Sequence, residues 1–547
     1  MRFSYVKYLG IANLLLFIHP PLILAQTLTH LSPPHPDWIE VQLKAFELNP
    51  REFLNHSQST EKIDPNSSVS LSPFSPLSPF FLSHADEEKA KREGQKNGEE
   101  QARKEKTHLS LFHEKLRIRT TILHASDLPP GELRLSAAPQ ANDLPQNLVD
   151  QFSVQTLDQI EQAGLQSSQL PEQPWSDYYW AMFEGGITNR YTDPQYPHSK
   201  IWRNNENYLL QHSCSVDQLS PAEKYDLLVG DPHQTLTQSI LADSRRYVRA
   251  DGTIETWMGI CHGWAPASFM MKRPVHQIDV LAADGHTRIP FFPSDIKALA
   301  SMLWASTSPP SRFIGGRCKN PNPPQNEVGR ILSQDCFDTN PASWHLSVVN
   351  QIGVAQRSLI MDASFDYEVW NQPIYAYSYS YFNPLTRKAV ATLAEATVRK
   401  ESYRPSDPFA AYRHPQAAWM VGIAMKLIYT GETLPKKTSK DSPELDRLLA
   451  VRYLYDLELD AQHRILGGEW YTNQHPDFLW LPPADTQPLS EGDKLLQQRD
   501  PQPTLTWQPL NEAIPPAWAQ AAQTASRAHQ PLAKVVETLI QHSALPL

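Results

Sequence analysis

Helix-forming and strand-forming stretches follow one another through a single aromatic-dense body, which predicts a mixed fold of helices and strands. Three observations carry this. The text Pro174-Trp-Ser-Asp-Tyr-Tyr-Trp180 opens a region rich in large rings, able to bury a sizeable core, that continues to about Pro482. Within it, short strand candidates are separated by turn residues, as at Asp284-Gly285. Apolar helical stretches stand between them, the first beginning at Cys261. At 547 residues the chain exceeds one simple core, and length alone suggests about two to four domains.

Residues 1–25 read as a secretory signal peptide. Arg2 and Lys7 precede the apolar stretch Leu9 to Ile18, and Ala25 before Gln26 offers a small-residue cleavage site. Pro20 and Pro21 interrupt that stretch and argue against a stable membrane anchor. Residues 26–170 form a low-complexity and charged N-terminal region, a candidate pro-segment. Its first part, to about residue 110, is Pro-rich and Ser-rich, with the near-repeat Leu71-Ser-Pro-Phe-Ser-Pro-Leu-Ser-Pro-Phe80, and is expected to be poorly folded. Asp86 to Lys106 is a solvated, marginal helix or linker. Asn55 and Asn66 head Asn-X-Ser glycosylation acceptors.

The body, residues 171–482, is read as one continuous folded domain. Pro221 to Val229 is helix-like, and the cysteine helix runs through Ala265 to Met271 with Pro266 in its first turn. Val275 to Leu281 and Thr287 to Phe292 are strands, and Asp295 to Trp304 is a helix capped by Ser294 or Asp295. His345 to Ile352 and Gln356 to Asp362 read as paired strands around Gly353, and Tyr367 to Tyr381 as aromatic β text. Pro415 to Tyr429 is a helix candidate, and Arg452 to Asp460 with Arg464 to Tyr471 a hairpin. The tail 483–547 is Pro-rich and Gln-rich, ends in an amphipathic helix over Ala517 to His542, and is expected to be peripheral.

A formal charge of −10 and a pI near 6.1 leave no basic field for nucleic acid. Four cysteines are sparse for this length. Cys318 and Cys336 flank a Pro-rich and Asn-rich loop and suit a structural bridge worth roughly 3 kcal/mol in the chain-entropy model. Cys214 is a candidate partner that would trap Cys261 as a reversible disulfide, the alternative being a buried free thiol.

Cys261 is the nucleophile candidate. A helix start offers free N–H groups and a positive dipole end that favour thiolate, Gly259 and Gly263 allow close backbone approach, and neighbouring amides could form an oxyanion hole. The competing reading is an inert core cysteine. A cysteine nucleophile needs a base and a group that orients the base. His262 diverges from the thiol on the helix, and His286 lies in a turn. Two layouts remain: His276 as base with Asp295 as orienter, or His345 as base with Asn350 or Asp362. Asp295 could equally be a helix cap.

The text Tyr367-Glu-Val-Trp-Asn-Gln-Pro373 resembles the short elicitor peptide of the oomycete transglutaminase elicitor family. The likeness extends over roughly residues 171–482. It takes in Pro174 to Trp180, Gly259-Ile-Cys-His-Gly-Trp-Ala-Pro-Ala267, Pro293-Ser-Asp-Ile-Lys-Ala-Leu299, Asp338-Thr-Asn-Pro341 with Trp344-His345, and Gly467-Gly-Glu-Trp-Tyr471 with His475-Pro-Asp-Phe-Leu-Trp480. The chain departs from the family after Pro373, with Ile374-Tyr-Ala-Tyr-Ser where the family has a basic residue and a glycine. The resemblance implies an α+β fold with a papain-like cysteine active centre in an unusual transglutaminase-elicitor setting. It implies a secreted acyltransferase that joins glutamine side chains to primary amines, with the family's cysteine, histidine and aspartate carried to Cys261, His276 and Asp295.

The partners implied are proteins with accessible glutamine and lysine, or polyamines, and the localisation secreted or periplasmic. The chemistry itself needs no cofactor, and similarity in activity to calcium-stimulated transglutaminases adds calcium as a candidate activator. With no EF-type loop, Asp456, Glu458 and Asp460 on one strand face are the ligand candidates, a solvated hairpin face being the plainer reading. Trp264, Trp344 and Trp370 are candidate walls that keep water from the thioester. Competing functions are a cysteine endopeptidase or glutamine deamidase, which share the first half of the mechanism, and a non-catalytic secreted interaction protein.

Overall fold

The computed structural model describes residues 31–55, 60–63, 139, 141–318, 320, 322–333, 336, 338–364, 368–499 and 506–545. The signal segment, the Ser-Pro text, Asp86 to Lys106 and Asn66 lie outside the described residues.

An eleven-stranded antiparallel sheet runs Glu61–Ile63, Arg447–Leu459, Trp419–Gly431, Asn371–Asn383, Ile360–Asp362, Phe478–Leu481 and Arg312–Gly315, with shorter strands added to its members. Its core strand is Trp419–Gly431, paired on both sides and almost wholly buried. The helix expected over 415–429 is therefore a strand. A strand covered on both faces loses its apolar alternation and reads like a buried helix, and Val421, Ile423 and Ile428 were the β-branched signal against the helix formers around them. The reverse happened at 345–352. Asn340 caps a helix over Pro341–Val348 by accepting from the Ala342 N–H, and a π-helix follows over Val349–Val354. Asn-Pro is an N-cap and first-turn signal, which the β-branched run Val348-Val349 obscured. Only Ile360–Asp362 of the expected second strand is formed.

Other elements match the sequence reading. The hairpin Ile278–Leu281 with Arg288–Phe291, the helices Pro221–Leu228 and Pro293–Thr307, the strand Asn371–Asn383 and the hairpin Arg447–Leu459 with Ile465–Trp470 are all present. The Cys318–Cys336 disulfide is formed across a separation of 18 residues.

Two segments expected to lie apart from the core belong to it. Residues 36–48 form a helix whose Ile39, Leu43 and Phe46 pack on Phe382, Ala424, Leu454 and Tyr471 of the sheet. Those positions recur at helical spacing, a pattern masked by the proline-rich text around it. The tail is not peripheral. Among the described residues it forms three helices, Glu491–Arg499, Pro516–Ser526 and Ala533–Ala544, the last two in place of the single one expected, and Trp518, Val535, Val536 and Leu539 share one core with Trp264, Leu299 and Leu303. Burial of those side chains against the body is the physical reason it docks.

The helix Cys261–Met270 lies between this helical core and the sheet. Cys261, Trp264 and Ala267 join the helical core, while Ala265 packs with Ile360, Val369, Phe478 and Trp480. Gly263 brings it against Pro293–Thr307: an added Cβ would lie 2.1 Å from the Ser301 carbonyl oxygen and 2.6 Å from the Ala305 Cβ. Gly263→Ala should cost about 1–3 kcal/mol of stability by overpacking, read as a lower urea midpoint. Gly316→Ala, where an added Cβ meets nothing within 4 Å, should stay within about 0.5 kcal/mol of the parent. Equal midpoints for the two variants would refute the contact.

Candidate functional site

Backbone contacts place Cys261. The Ile260 N–H donates to the Tyr179 carbonyl at 2.7 Å, and a Cβ on Gly259 would lie 2.3 Å from that same oxygen. Ile260 then accepts from the N–H groups of Gly263 and Trp264 at 2.9 and 3.0 Å, so the helix starts at the cysteine itself. Pro266 consequently falls in the second turn rather than the first, as an interior proline.

The thiol is covered. Cys261 is 4% exposed, with Sγ 3.6 Å from the Val369 carbonyl oxygen and 3.5 Å from Nδ2 of Asn371. The Asn371 Oδ1 accepts the Trp480 indole N–H at 2.7 Å. Burial pushes the Cys261 thiol up to about 11, hydrogen bonding by Asn371 pulls it down, and the charges of Glu432 and Asp362 add to the rise. The thiol expected to be acidic is therefore protonated at rest, because desolvation outweighs the helix end.

Asp362 stands next to Asn371, and its charge acts on the thiol. It is the cross-strand partner of Asn371, so the two side chains stand side by side on one face. Its Oδ1 accepts the Trp370 N–H at 2.9 Å and the Ser364 hydroxyl at 2.8 Å, while its buried Oδ2 has no hydrogen-bond partner. Burial pushes this carboxyl up to about 7, against hydrogen bonds from Trp370 and Ser364 and the positive charge of Arg317. The Trp370 ring lies 5.2 Å from that of Tyr179. Glu432, raised by burial, accepts a hydrogen bond from Gln372, the residue after Asn371.

The other residues named from the sequence make no described hydrogen bond to the Cys261 thiol. The backbone N–H of His276 donates to the Ser543 carbonyl oxygen at 2.9 Å, and its carbonyl accepts the Ser543 hydroxyl at 2.6 Å. Asp295 caps its helix by accepting the Phe292 N–H at 2.8 Å, and takes Lys224 Nζ at 2.6 Å and the Tyr191 hydroxyl at 3.0 Å. No described hydrogen bond joins it to His276. His345 is on a helix, not a strand, with Nδ1 2.8 Å from the Tyr455 hydroxyl. Asn350 bonds the backbone of Val154 and Leu346. Of the three tryptophans, Trp370 is at the site. Trp264 donates to the Trp175 carbonyl, and Trp344 packs on Tyr453 and Trp470. Cys214 and Cys261 are both free thiols, so the proposed latch is not formed.

The calcium candidates do not fit a cation as they stand. Asp456 and Glu458 are buried around Arg413, whose guanidinium lies 2.5 and 2.6 Å from the Asp456 oxygens and 3.2 Å from Glu458, and Asp460 holds Arg464. Among the described residues, no group of three or more His, Cys, Asp or Glu side chains is placed to hold a metal ion. No helix among them is long and apolar enough to cross a membrane.

Sequence reasoning missed Asn371 as the partner of the thiol, and Trp480 as the donor that orients Asn371. Asn371 stood inside the quoted Trp-Asn-Gln-Pro text, but nothing in one sequence joins it to a cysteine 110 residues away.

The family model described as transglutaminase elicitor matches residues 146–491, more than half of the chain. Among solved structures, the crystal structure of the GP42 transglutaminase from Phytophthora sojae matches at 21% identity with a TM-score of 0.42, covering 60% of this chain and 86% of that one. The search of curated proteins finds no match.

His345 supplies a stability test. Its burial depresses the imidazole from 6.5 to about 3, so the unfolded chain takes up a proton at a pH where the folded one does not. Its contribution is complete above pH 6.5 and is lost as pH falls toward about 3, at up to about 1.4 kcal/mol per pH unit. The unfolding free energies of the parent and His345→Gln should therefore converge between pH 6.5 and 4. A gap that stays constant over that range would show that His345 is not held neutral.

Proposed function

The chain belongs to the transglutaminase elicitor family, and from that premise we propose that it is a secreted acyltransferase joining protein glutamine side chains to primary amines, with Cys261 as nucleophile. The observation that carries the reading is the convergence on one thiol of a helix start and a carboxamide N–H, with a buried carboxyl that has an unpaired oxygen standing beside that carboxamide.

In this mechanism the Cys261 sulfur attacks the γ-carboxamide carbon while its proton passes to a base. Asp362 suits that task better than His276, because it shares a face with Asn371 and burial brings it to about 7, near the pH at which a base must both take and return a proton. The proton is then given to the departing nitrogen, which leaves as ammonia. A primary amine attacks the thioester, Asp362 accepts its proton, and the new amide releases the thiol.

Water at about 55 M competes with any amine, so transfer requires a sheltered thioester. A thiol 4% exposed, against the Val369 carbonyl and the Asn371 carboxamide, supports that requirement. Glu432 and the rings of Tyr179 and Trp370 suit an incoming ammonium group, from a lysine or a polyamine. The Cys318–Cys336 bridge and the signal-like first 25 residues favour an exported protein.

Incubation with a glutamine-bearing protein and a dansylated primary amine tests the function. Label should enter with the parent and be lost with Cys261→Ala. Ammonia without label would instead indicate a deamidase, and peptide cleavage a protease. The parent's kcat should rise through about pH 7 as Asp362 loses its proton. Asp362→Asn should lower kcat about 100-fold or more and remove that limb. An unchanged pH profile would assign the base to another group.

A further inference from the structure

We infer that the Asn371 carboxamide and the Cys261 backbone N–H together form the oxyanion hole of this site, an inference that rests on Cys261 being the nucleophile.

The carboxamide has a fixed sense. The Trp480 indole N–H can only donate, so the group it meets at 2.7 Å must be the amide oxygen, and Nδ2 is the end turned to the sulfur at 3.5 Å. Three strands hold this donor. Asn371 begins Asn371–Asn383 and pairs with Asp362 of Ile360–Asp362, which pairs in turn with Phe478–Leu481, the strand that carries Trp480. At 2% exposure the carboxamide has no water to reorganise around it. The second donor is local, since Cys261 is the first helical residue and its N–H has no acceptor within the helix.

At rest the Nδ2 hydrogen meets only a neutral sulfur, a weak acceptor. When the sulfur forms its bond to a carbonyl carbon, the π electron pair moves to the carbonyl oxygen, which then carries the charge beside that sulfur. The hydrogen bond passes from sulfur to oxygen and strengthens as the charge forms. An interaction that is weak in the ground state and strong in the transition state lowers the barrier. Collapse restores the carbonyl and expels the leaving group.

The test compares two reactions of Cys261 in the full chain. Acylation by p-nitrophenyl acetate forms a C–S bond through a tetrahedral oxyanion and releases p-nitrophenolate, the thiol proton passing to the base and then to buffer. Alkylation by iodoacetamide displaces iodide at a saturated carbon and forms no oxyanion. Asn371→Ala should slow acylation about 100- to 1,000-fold while alkylation changes less than about 10-fold. Asn371→Asp, of the same shape but without the donor, should act in the same direction, and Trp480→Phe, which frees the carboxamide, should give a smaller loss. Equal slowing of the two reactions, or acylation at the parent's rate, would overturn the inference. A parent that is acylated by the ester yet labels no glutamine would defeat the transglutaminase reading and leave the oxyanion hole intact.

Discussion

Two backbone contacts that leave no room for a side chain govern the site. At Gly259 the chain lies against the Tyr179 carbonyl, and at Gly263 the cysteine helix lies against the Ser301 carbonyl. Together they seat the helix in the seam between the helical core and the strands Asn371–Asn383, Ile360–Asp362 and Phe478–Leu481, with its first residue turned toward Asn371. The burial of the thiol follows from that seating, and its protonation follows from the burial. A looser seam would expose Cys261 and lower its pKa, and would also separate it from the strands that supply its polar neighbours.

Around the thiol, charge is arranged to keep protons in place. Asp362 and Glu432 are both raised by burial, and both disfavour a thiolate beside them. The site thus holds its reactive group dormant until substrate brings a carbonyl to the sulfur. Elsewhere the buried charges are clamps. Lys224 with Asp295, and Arg413 with Asp407, Asp456 and Glu458, pin loops and helices to the body. Removing one member of such a pair would strand the other without water.

This division explains what the sequence could and could not disclose. The helix that begins near Cys261 was legible because its signals are local: a glycine two residues before, helix formers after. The hairpin at Asp284-Gly285 and the helix at Pro293 were legible for the same reason. Trp419–Gly431 and Pro341–Val348 were exchanged in kind because a fully buried segment carries no periodicity, leaving β-branched content and the Asn340-Pro341 cap as the sole arbiters. Asp295 has the residue type and position of a catalytic partner and spends its oxygens on Lys224, Tyr191 and its own helix. Asp362 was named as an orienter for His345, and what it stands beside is Asn371, the residue that bonds the Cys261 thiol. The pairing of Asp362 with Asn371 depends on strand register, and the approach of Trp480 on a third strand, neither of which one sequence reports.

The clasp between His276 and Ser543 sets an order on the birth of this molecule. The two residues are 267 positions apart, and the helix Ala533–Ala544 completes the core that holds Cys261. A chain emerging from a ribosome cannot close that core until the helix Ala533–Ala544 is free. The sheet strands can pair earlier, but the helical half around the nucleophile waits, since contacts of such long range form late. A copy lacking Ala533–Ala544 would thus carry the cysteine with its setting unbuilt. That helix ties the assembled site to a segment made long after the cysteine itself.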